Sequence, residues 1–241
     1  MQTLEQLTDA SKSAWGTIFQ WIERARNHCE VIKKDQSSAE RELFTMQMPT
    51  SSPMGAVIYE TGGILIHHGW LRILGSGSFK LPRGLMDWNF SKSFNQSGDK
   101  PKYLLVADDV IGGYFALNGG SLGDNLGKIY YFSPKDLTWH DLNFTYTDFL
   151  AWALNGDIEA FYQNLFWQNW QEDVKQLDGN HMIVFTPELS EDKTTDINQR
   201  ERREVNIETH YNASFTEQDK FAQVYSCLLY TSPSPRDMRR S

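Results

Sequence analysis

Apolar residues recur with helical spacing in two parts of the chain. Between Ala14 and Arg26 they fall at i, i+3, i+4 and i+7, which predicts one amphipathic helix with the face Trp15, Ile18, Phe19 and Ile22. A second helix is predicted over residues 38–46. Three further apolar stripes with helical spacing lie between residues 146 and 177 and predict helices. Asn155-Gly156 ends the first of these helices, and Asp157 caps the next.

Short apolar runs between these helices are rich in aromatic and β-branched residues, which is typical of strands. The runs 56–60 and 64–67 flank Thr61-Gly62-Gly63 and predict a hairpin, because glycine accepts the positive φ of a tight turn. Residues 79–101 are polar and predict a surface excursion. Further strands are predicted at residues 70–74, 103–107, 114–117, 128–132 and 182–185.

The order of these elements predicts the fold class. Helices, then short sequential strands, then helices again favour an α+β fold with a mostly antiparallel sheet packed with helices. We expect a single domain over residues 1–189 and a peripheral polar arm over residues 190–226, which are charged and poorly periodic. Residues 227–241 are interpreted as an artefactual tail, since Cys227 to Asp237 resembles the translated read-through of a sequencing adapter.

Charge and cysteine content restrict the function classes. The net charge is −8, and −10 without residues 227–241, which argues against binding to nucleic acid or to an anionic membrane and fits a basic protein partner. Cys29 is the only cysteine outside the predicted tail, which excludes a disulfide scaffold and a cysteine metal site within one chain. The polar N-terminus and the lack of an 18-residue apolar run predict a cytoplasmic protein.

Three polar motifs carry candidate chemistry. Asp108-Asp109 follows a predicted strand and either binds a divalent cation or accepts hydrogen bonds from the Gly112-Gly113 turn. His67-His68 points to opposite faces of an extended strand, so the two rings do not share a metal easily, although one of them with Glu60 and an aspartate would form a mixed site.

The third motif is the loop Gly75-Ser76-Gly77-Ser78, which lacks a complete phosphate-binding pattern. Lys80 and Arg83 follow it and would bring an anion to the loop, whereas a flexible turn is the alternative interpretation.

Three segments of the chain carry a family resemblance. The stretches 52–78 (SPMGAVIYETGGILIHHGWLRILGSGS), 104–120 (LLVADDVIGGYFALNGG) and 149–162 resemble the bacterial domain-of-unknown-function family 2625, and residues 196–208 are a looser match. The strand order between Leu104 and Phe161 is more distantly similar to the SUKH superfamily. That similarity implies a protein-interaction module, many members being immunity proteins against secreted toxins.

The hypothesis that follows is a non-catalytic protein-binding module with a SUKH-like fold, a toxin or other basic protein as partner and no cofactor. Its acidic, aromatic-flanked surface is predicted to comprise Asp108, Asp109, Asp124, Trp139 and Asp141. One alternative is a hydrolase with a carboxylate–histidine metal site formed from Glu60, His67, His68, Asp108 and Asp109. Another alternative is a small-ligand or carbohydrate binder that uses exposed tryptophans.

Overall fold

The computed structural model describes residues 1–95 and 100–215 and confirms the predicted α+β class. Seven antiparallel strands lie side by side in chain order, so each strand pairs with its neighbours along the sequence. They are β1 Cys29–Ile32, β2 Gly63–Ile66, β3 Leu71–Leu74, β4 Tyr103–Asp109, β5 Tyr114–Asn118, β6 Ile129–Ser133 and β7 Thr138–Phe144. A second sheet pairs β8 His181–Thr186 with β9 Glu201–Asn206.

The helices precede the sheet, interrupt it or follow it along the chain. They are α1 Leu4–Leu7, α2 Trp15–Glu23, α3 Gln36–Met46, α4 Pro53–Glu60, α5 Leu85–Asn89, α6 Tyr146–Asn155, α7 Ile158–Phe161 and α8 Trp170–Gln176. Residues 207–215 are also helical. Within the described ranges, no helix has both the length and the apolar character that a membrane crossing requires.

The predicted strand at residues 56–60 is wrong, because this run belongs to helix α4. Ser52 caps the helix by accepting a hydrogen bond from the N–H of Gly55 (3.0 Å), and Pro53 occupies its first turn. Residues 54–58 are all buried, so the run is apolar on every side and its periodicity does not distinguish a buried helix from a buried strand. The predicted hairpin is therefore a helix-to-strand connection.

Residues 79–101 are not merely a surface excursion. They include α5, whose Leu85, Trp88 and Asn89 are buried. The Asn89 side chain donates to the Leu105 carbonyl and accepts from the Leu105 N–H, both at 2.8 Å, where β4 has a bulge. Hydrogen bonds between the Asn89 side chain and the backbone of β4 hold this segment against the sheet. The periodicity of apolar residues gives no indication of such bonds.

Residues 190–215 are not a peripheral arm. Ile197, Ile207 and Tyr211 are buried, and the buried Arg200 donates hydrogen bonds to the carbonyls of Pro187, Asp192 and other residues of the same loop. Strand β9 is an exposed edge strand that consists mostly of charged residues. Because it has no apolar pattern, the sequence did not predict it as a strand. The remainder of the predicted arm and the predicted tail, residues 216–241, lie outside the described residues.

The two faces of the large sheet are covered differently. One face carries Phe115 and Tyr131, which contact the rings of α6 and α7. The other face carries a row of directly paired residues, one from each strand, because opposite residues in antiparallel strands share a face. This cross-strand row is Glu30, Leu65, Arg72, Asp108, Tyr114, Phe132 and Trp139.

The buried Glu42 of α3 generates a prediction on pH. It accepts a hydrogen bond from the N–H of Met86 (2.6 Å) at the start of α5, and burial raises its pKa from 4.5 to about 7. Between these pH values the folded chain binds a proton that the unfolded chain has released, so Glu42 lowers the free energy of unfolding as pH rises. We expect Glu42→Gln to be more stable than the parent by about 1–2 kcal/mol at pH 8.

The measurement is urea unfolding of parent and variant at pH 5 and pH 8. The stability difference between the two proteins should shrink or reverse at pH 5, where the parent residue is itself protonated. A difference that is the same at both pH values would show that Glu42 does not titrate as described.

Candidate functional site

Asp108 and Asp109 lie on opposite faces of the sheet, because side chains alternate along a strand. Both are 0% exposed. Asp108 belongs to the cross-strand row, whereas Asp109 points toward Tyr131 on the helix-covered face. The prediction that these two carboxylates share an exposed docking surface is therefore wrong.

Asp109 confirms the alternative interpretation of a turn-stabilising residue. Its Oδ1 accepts hydrogen bonds from the N–H groups of Ile111 (3.0 Å) and Gly113 (2.7 Å), and its Oδ2 accepts one from the Tyr131 hydroxyl (2.8 Å). Burial raises its pKa to about 6 against the opposing effect of these donors. Gly113 is required here because a Cβ atom would collide with the carboxylate.

The predicted metal set does not converge. Glu60 is paired with Lys34 at 2.9 Å, and Asp108 and Asp109 face different sides of the sheet. Within the residues that the structure describes, no three histidine, cysteine, aspartate or glutamate side chains are placed to hold a metal ion.

Asp124, Trp139 and Asp141 lie together at the β7 edge of the sheet. Asp124 and Asp141 are exposed and Trp139 is half-buried. Asn125 donates a hydrogen bond to the Asp141 carboxylate, which joins the loop before β6 to β7. We call Asp124, Trp139 and Asp141 the β7 patch. It is separate from Asp108 and Asp109, which are buried inside the sheet.

The centre of the cross-strand row is a buried ion cluster that sequence analysis did not predict. Asp108 accepts hydrogen bonds from Arg72 Nε and from an Arg83 terminal nitrogen, each at 2.6 Å. Arg72 is 3% exposed and Arg83 is 7% exposed. Burial alone would raise the pKa of Asp108, but the attraction of the two guanidinium groups outweighs it and holds that pKa below its usual value.

The same two arginines hold the segment between α8 and β8. Arg72 donates to the carbonyl of His181 (2.7 Å), and Arg83 donates to the carbonyl of Gly179 (2.9 Å). Both arginines pair with Asp108, and the carboxylate of the adjacent Asp109 adds its attraction at Arg72. Buried charges without a partner are costly, so these carboxylates are what allows the two guanidinium groups to lie in the interior.

A cleft of about 420 Å³ opens over the first three strands. Its floor is Glu30, Leu65 and Arg72, the first three residues of the cross-strand row. We call it the β1–β3 cleft. One wall is formed by α8 and the opposite side by the loop that follows β3, and the lining includes His28, His68, Lys80, Glu172 and Lys175.

The histidines at this cleft adopt an unusual backbone. His67 and His68 have φ values of 51° and 60°, in the left-handed region, so the prediction of an extended strand here is wrong. Such backbone strain is costly for residues other than glycine and clusters at functional sites. The His68 ring stacks on His28 (centroids 4.3 Å apart) and the His67 ring on Trp170 (5.0 Å).

The same two rings are electrically neutral near pH 7. Burial lowers the pKa of both His67 and His68. The neutral His68 ring, which lines the cleft, offers a flat surface to a ligand without adding charge there.

Comparisons with known proteins place the chain among uncharacterised bacterial proteins. Residues 4–210 match the model of the family described as protein of unknown function DUF2625. The chain is 79% identical to an uncharacterized protein of Haemophilus influenzae over 226 residues, which cover 94% of this chain and 99% of the relative. It is 44% identical to the putative uncharacterized protein YbfG of Escherichia coli over 189 residues, covering 78% of this chain and 86% of the relative. No solved structure matches it significantly.

The buried cluster generates a stability prediction. Asp108→Asn would leave two buried guanidinium groups without their carboxylate, so we expect a loss of about 3–5 kcal/mol in the free energy of unfolding. Asp141→Asn, at an exposed position of the same sheet, should change it by less than about 0.5 kcal/mol. Urea unfolding followed by tryptophan fluorescence measures both. Equal losses in the two variants would contradict the role given to Asp108.

Proposed function

The chain belongs to the DUF2625 family, and we propose that it binds a small anionic ligand with a planar group in the β1–β3 cleft. The observation that carries this proposal is the guanidinium group of Arg72 on the floor of the cleft. Arg72 belongs to both the cleft floor and the cluster.

The charges of the lining support an anion. Arg72, Lys80 and Lys175 line the cleft together with Glu30 and Glu172, so the cations exceed the carboxylates by one. Lys80 is held against Glu30 at 2.6 Å, which leaves Lys175 as the lining cation best placed to follow a ligand on a long side chain. A locally positive cleft on a chain of net charge −8 concentrates anions there.

The lining also supports a planar group. The stacked His28 and His68 rings reach the cleft, and Leu65, Leu81 and Val174 supply apolar surface. Ligand sites commonly combine apolar and aromatic walls with a few placed polar groups. The cleft therefore suits an aromatic carboxylate, sulfonate or phosphate.

The proposed ligand class can be tested with the fluorescent aromatic anion 1-anilinonaphthalene-8-sulfonate. We expect saturable binding to the parent, and Lys175→Glu should weaken it about tenfold because the variant replaces attraction with repulsion at the rim. Fluorescence titration gives the Kd. Lys135→Glu, an exposed reversal at the β6–β7 turn, is the matched control. Equal weakening by both reversals, or by neither, would contradict binding in the cleft.

A second candidate function is docking of a basic protein on the β7 patch, with toxin immunity as its specific form. The observation that favours it is the exposure of Asp124 and Asp141 beside Trp139 on an edge strand. Acidic groups around an aromatic anchor suit a basic partner. The SUKH resemblance remains the reason for naming a toxin.

Affinity purification from the host tests the docking proposal. A basic protein recovered with the parent should be lost with Asp124→Lys/Asp141→Lys, because two repulsive charges then face it. The control variant Glu23→Lys/Glu191→Lys has the same net charge and leaves the patch intact, so it should retain the protein. Loss from both variants would indicate a non-specific charge effect and contradict docking at this patch.

A further inference from the structure

Another cavity, of about 490 Å³, lies against the small sheet. Its lining comes from β8 and β9, from residues 207–215 and from the turn between β6 and β7. We call it the β8–β9 cavity. Its volume is within the roughly 300–1,000 Å³ of small-molecule sites. Among the residues that the structure describes, it shares no lining residue with the β1–β3 cleft.

The walls of the β8–β9 cavity are mostly apolar. Ile111 and Phe185 are buried, and Val184, Leu189 and Val205 are half-buried. Removing apolar surface from water is favourable by about 25 cal/mol per Å². Such walls therefore favour a ligand with an apolar body.

The His210 ring brings one hydrogen-bonding group to these walls. Its Nδ1 lies 3.0 Å from the Tyr114 hydroxyl, and burial lowers the pKa of His210 from 6.5 to about 4. Burial and the Asp108 carboxylate raise the pKa of Tyr114 well above its usual value, so the hydroxyl keeps its hydrogen. Near pH 7 the pair is therefore a neutral imidazole and a protonated hydroxyl.

The Tyr114 hydroxyl determines which ring nitrogen carries the hydrogen. Tyr114 is buried, and within residues 1–95 and 100–215 its hydroxyl has no hydrogen-bond partner besides His210. Donation to Nδ1 pairs the only hydrogen of the hydroxyl. The reverse arrangement would leave that hydrogen unpaired in the interior, at a cost of about 1–3 kcal/mol. The hydrogen of the neutral ring is therefore on Nε2.

This N–H is accessible from the cavity. His210 Nε2 makes no hydrogen bond with any described residue, and unlike the enclosed Nε2 of His67 it retains accessible surface. The ring thus offers a neutral donor, held in one tautomer, to an acceptor on a ligand among the apolar walls.

The charges of the lining favour a neutral acceptor. Glu188, Glu191 and Arg203 are the charged residues of the described lining, and all three are exposed. The carboxylates exceed the cation by one, so they repel an anion, and a neutral N–H compensates little for the water that an anion would lose. A carbonyl oxygen accepts the same hydrogen bond without bringing a charge.

We propose that the β8–β9 cavity binds a small neutral molecule with an apolar body and one carbonyl group, whose oxygen accepts a hydrogen bond from His210 Nε2. Tyr114 acts through His210 as a positioning residue. This site goes beyond the anion site of the β1–β3 cleft and takes a different class of ligand.

Acetophenone, ethylbenzene and benzoate test the proposal, because they are similar in size and differ in the polar group. The parent protein is titrated with each at pH 7, and two-dimensional ¹H–¹⁵N NMR follows the imidazole nitrogens and the amide of Val205. The ¹⁵N shift distinguishes a protonated ring nitrogen from an unprotonated one. We expect the hydrogen of free His210 on Nε2, a saturable shift with acetophenone, and a Kd at least about fivefold higher for benzoate at this site.

Tyr114→Phe/His210→Leu removes the donor together with the hydroxyl that holds it, so neither partner is left unpaired. It should raise the Kd of acetophenone about fivefold, which corresponds to one neutral hydrogen bond, without weakening ethylbenzene. The Val205 amide reports both Kd values. His140→Leu, at an exposed position of β7, is the matched control and should change neither.

Tyr114→Phe alone tests the positioning role. Without the hydroxyl, the hydrogen of the ring should distribute between Nδ1 and Nε2, which the same spectra show. A ring that stays fully on Nε2 would contradict this role.

The binding proposal would be overturned by a hydrogen on Nδ1 in the free parent, by no saturable shift of His210 with acetophenone, or by tighter binding of benzoate at this ring. An acetophenone Kd that rises no more than that of ethylbenzene in the double variant would also overturn it. The first three results need only the parent protein, so they decide the matter even where the double variant does not fold.

Discussion

The buried ion pairs of Asp108 with Arg72 and Arg83 are the constraint on which the rest of this structure depends. Desolvation makes such pairs a weak source of net stability, but breaking one leaves an uncompensated charge in the interior. The cluster therefore determines the relative positions of the segments that it joins more than it adds to the net stability of the fold. It joins strand β3, the loop before α5 and the segment before β8, which are far apart in the sequence.

The sheet face that carries this cluster is only partly covered by the described residues. Residues 207–215 place Tyr211 and Phe215 over Tyr114, Phe132 and Trp139, which covers the β5–β7 part of the cross-strand row. The helical segment does not extend over Glu30 and Leu65 at the other end of the row. The cleft is thus the part of the face that residues 1–95 and 100–215 leave open, and the cluster marks its inner boundary.

Local signals explain what the sequence predicted correctly. The end of α6 at Asn155-Gly156 and the Asp157 cap of α7 depend on residues within one or two turns, and both are present in the structure. The partners of Asp108 lie 36 and 25 residues away, and Arg83 stands in a polar stretch that gives no periodic signal. Apolar patterning specified the sheet, whereas the pairing that buries a charge arises only from tertiary contacts. For the same reason Asp108 was predicted to lie on the surface.

The Gly179 carbonyl has a geometric role in the buried ion cluster. It accepts a hydrogen bond from Arg83 at 2.9 Å and lies 3.5 Å from an Arg72 nitrogen, so one backbone group is held between two buried cations. A carbonyl oxygen has two lone pairs and accommodates both contacts. Because Gly179 also lines the β1–β3 cleft, a shift of this segment would change the wall of the cleft.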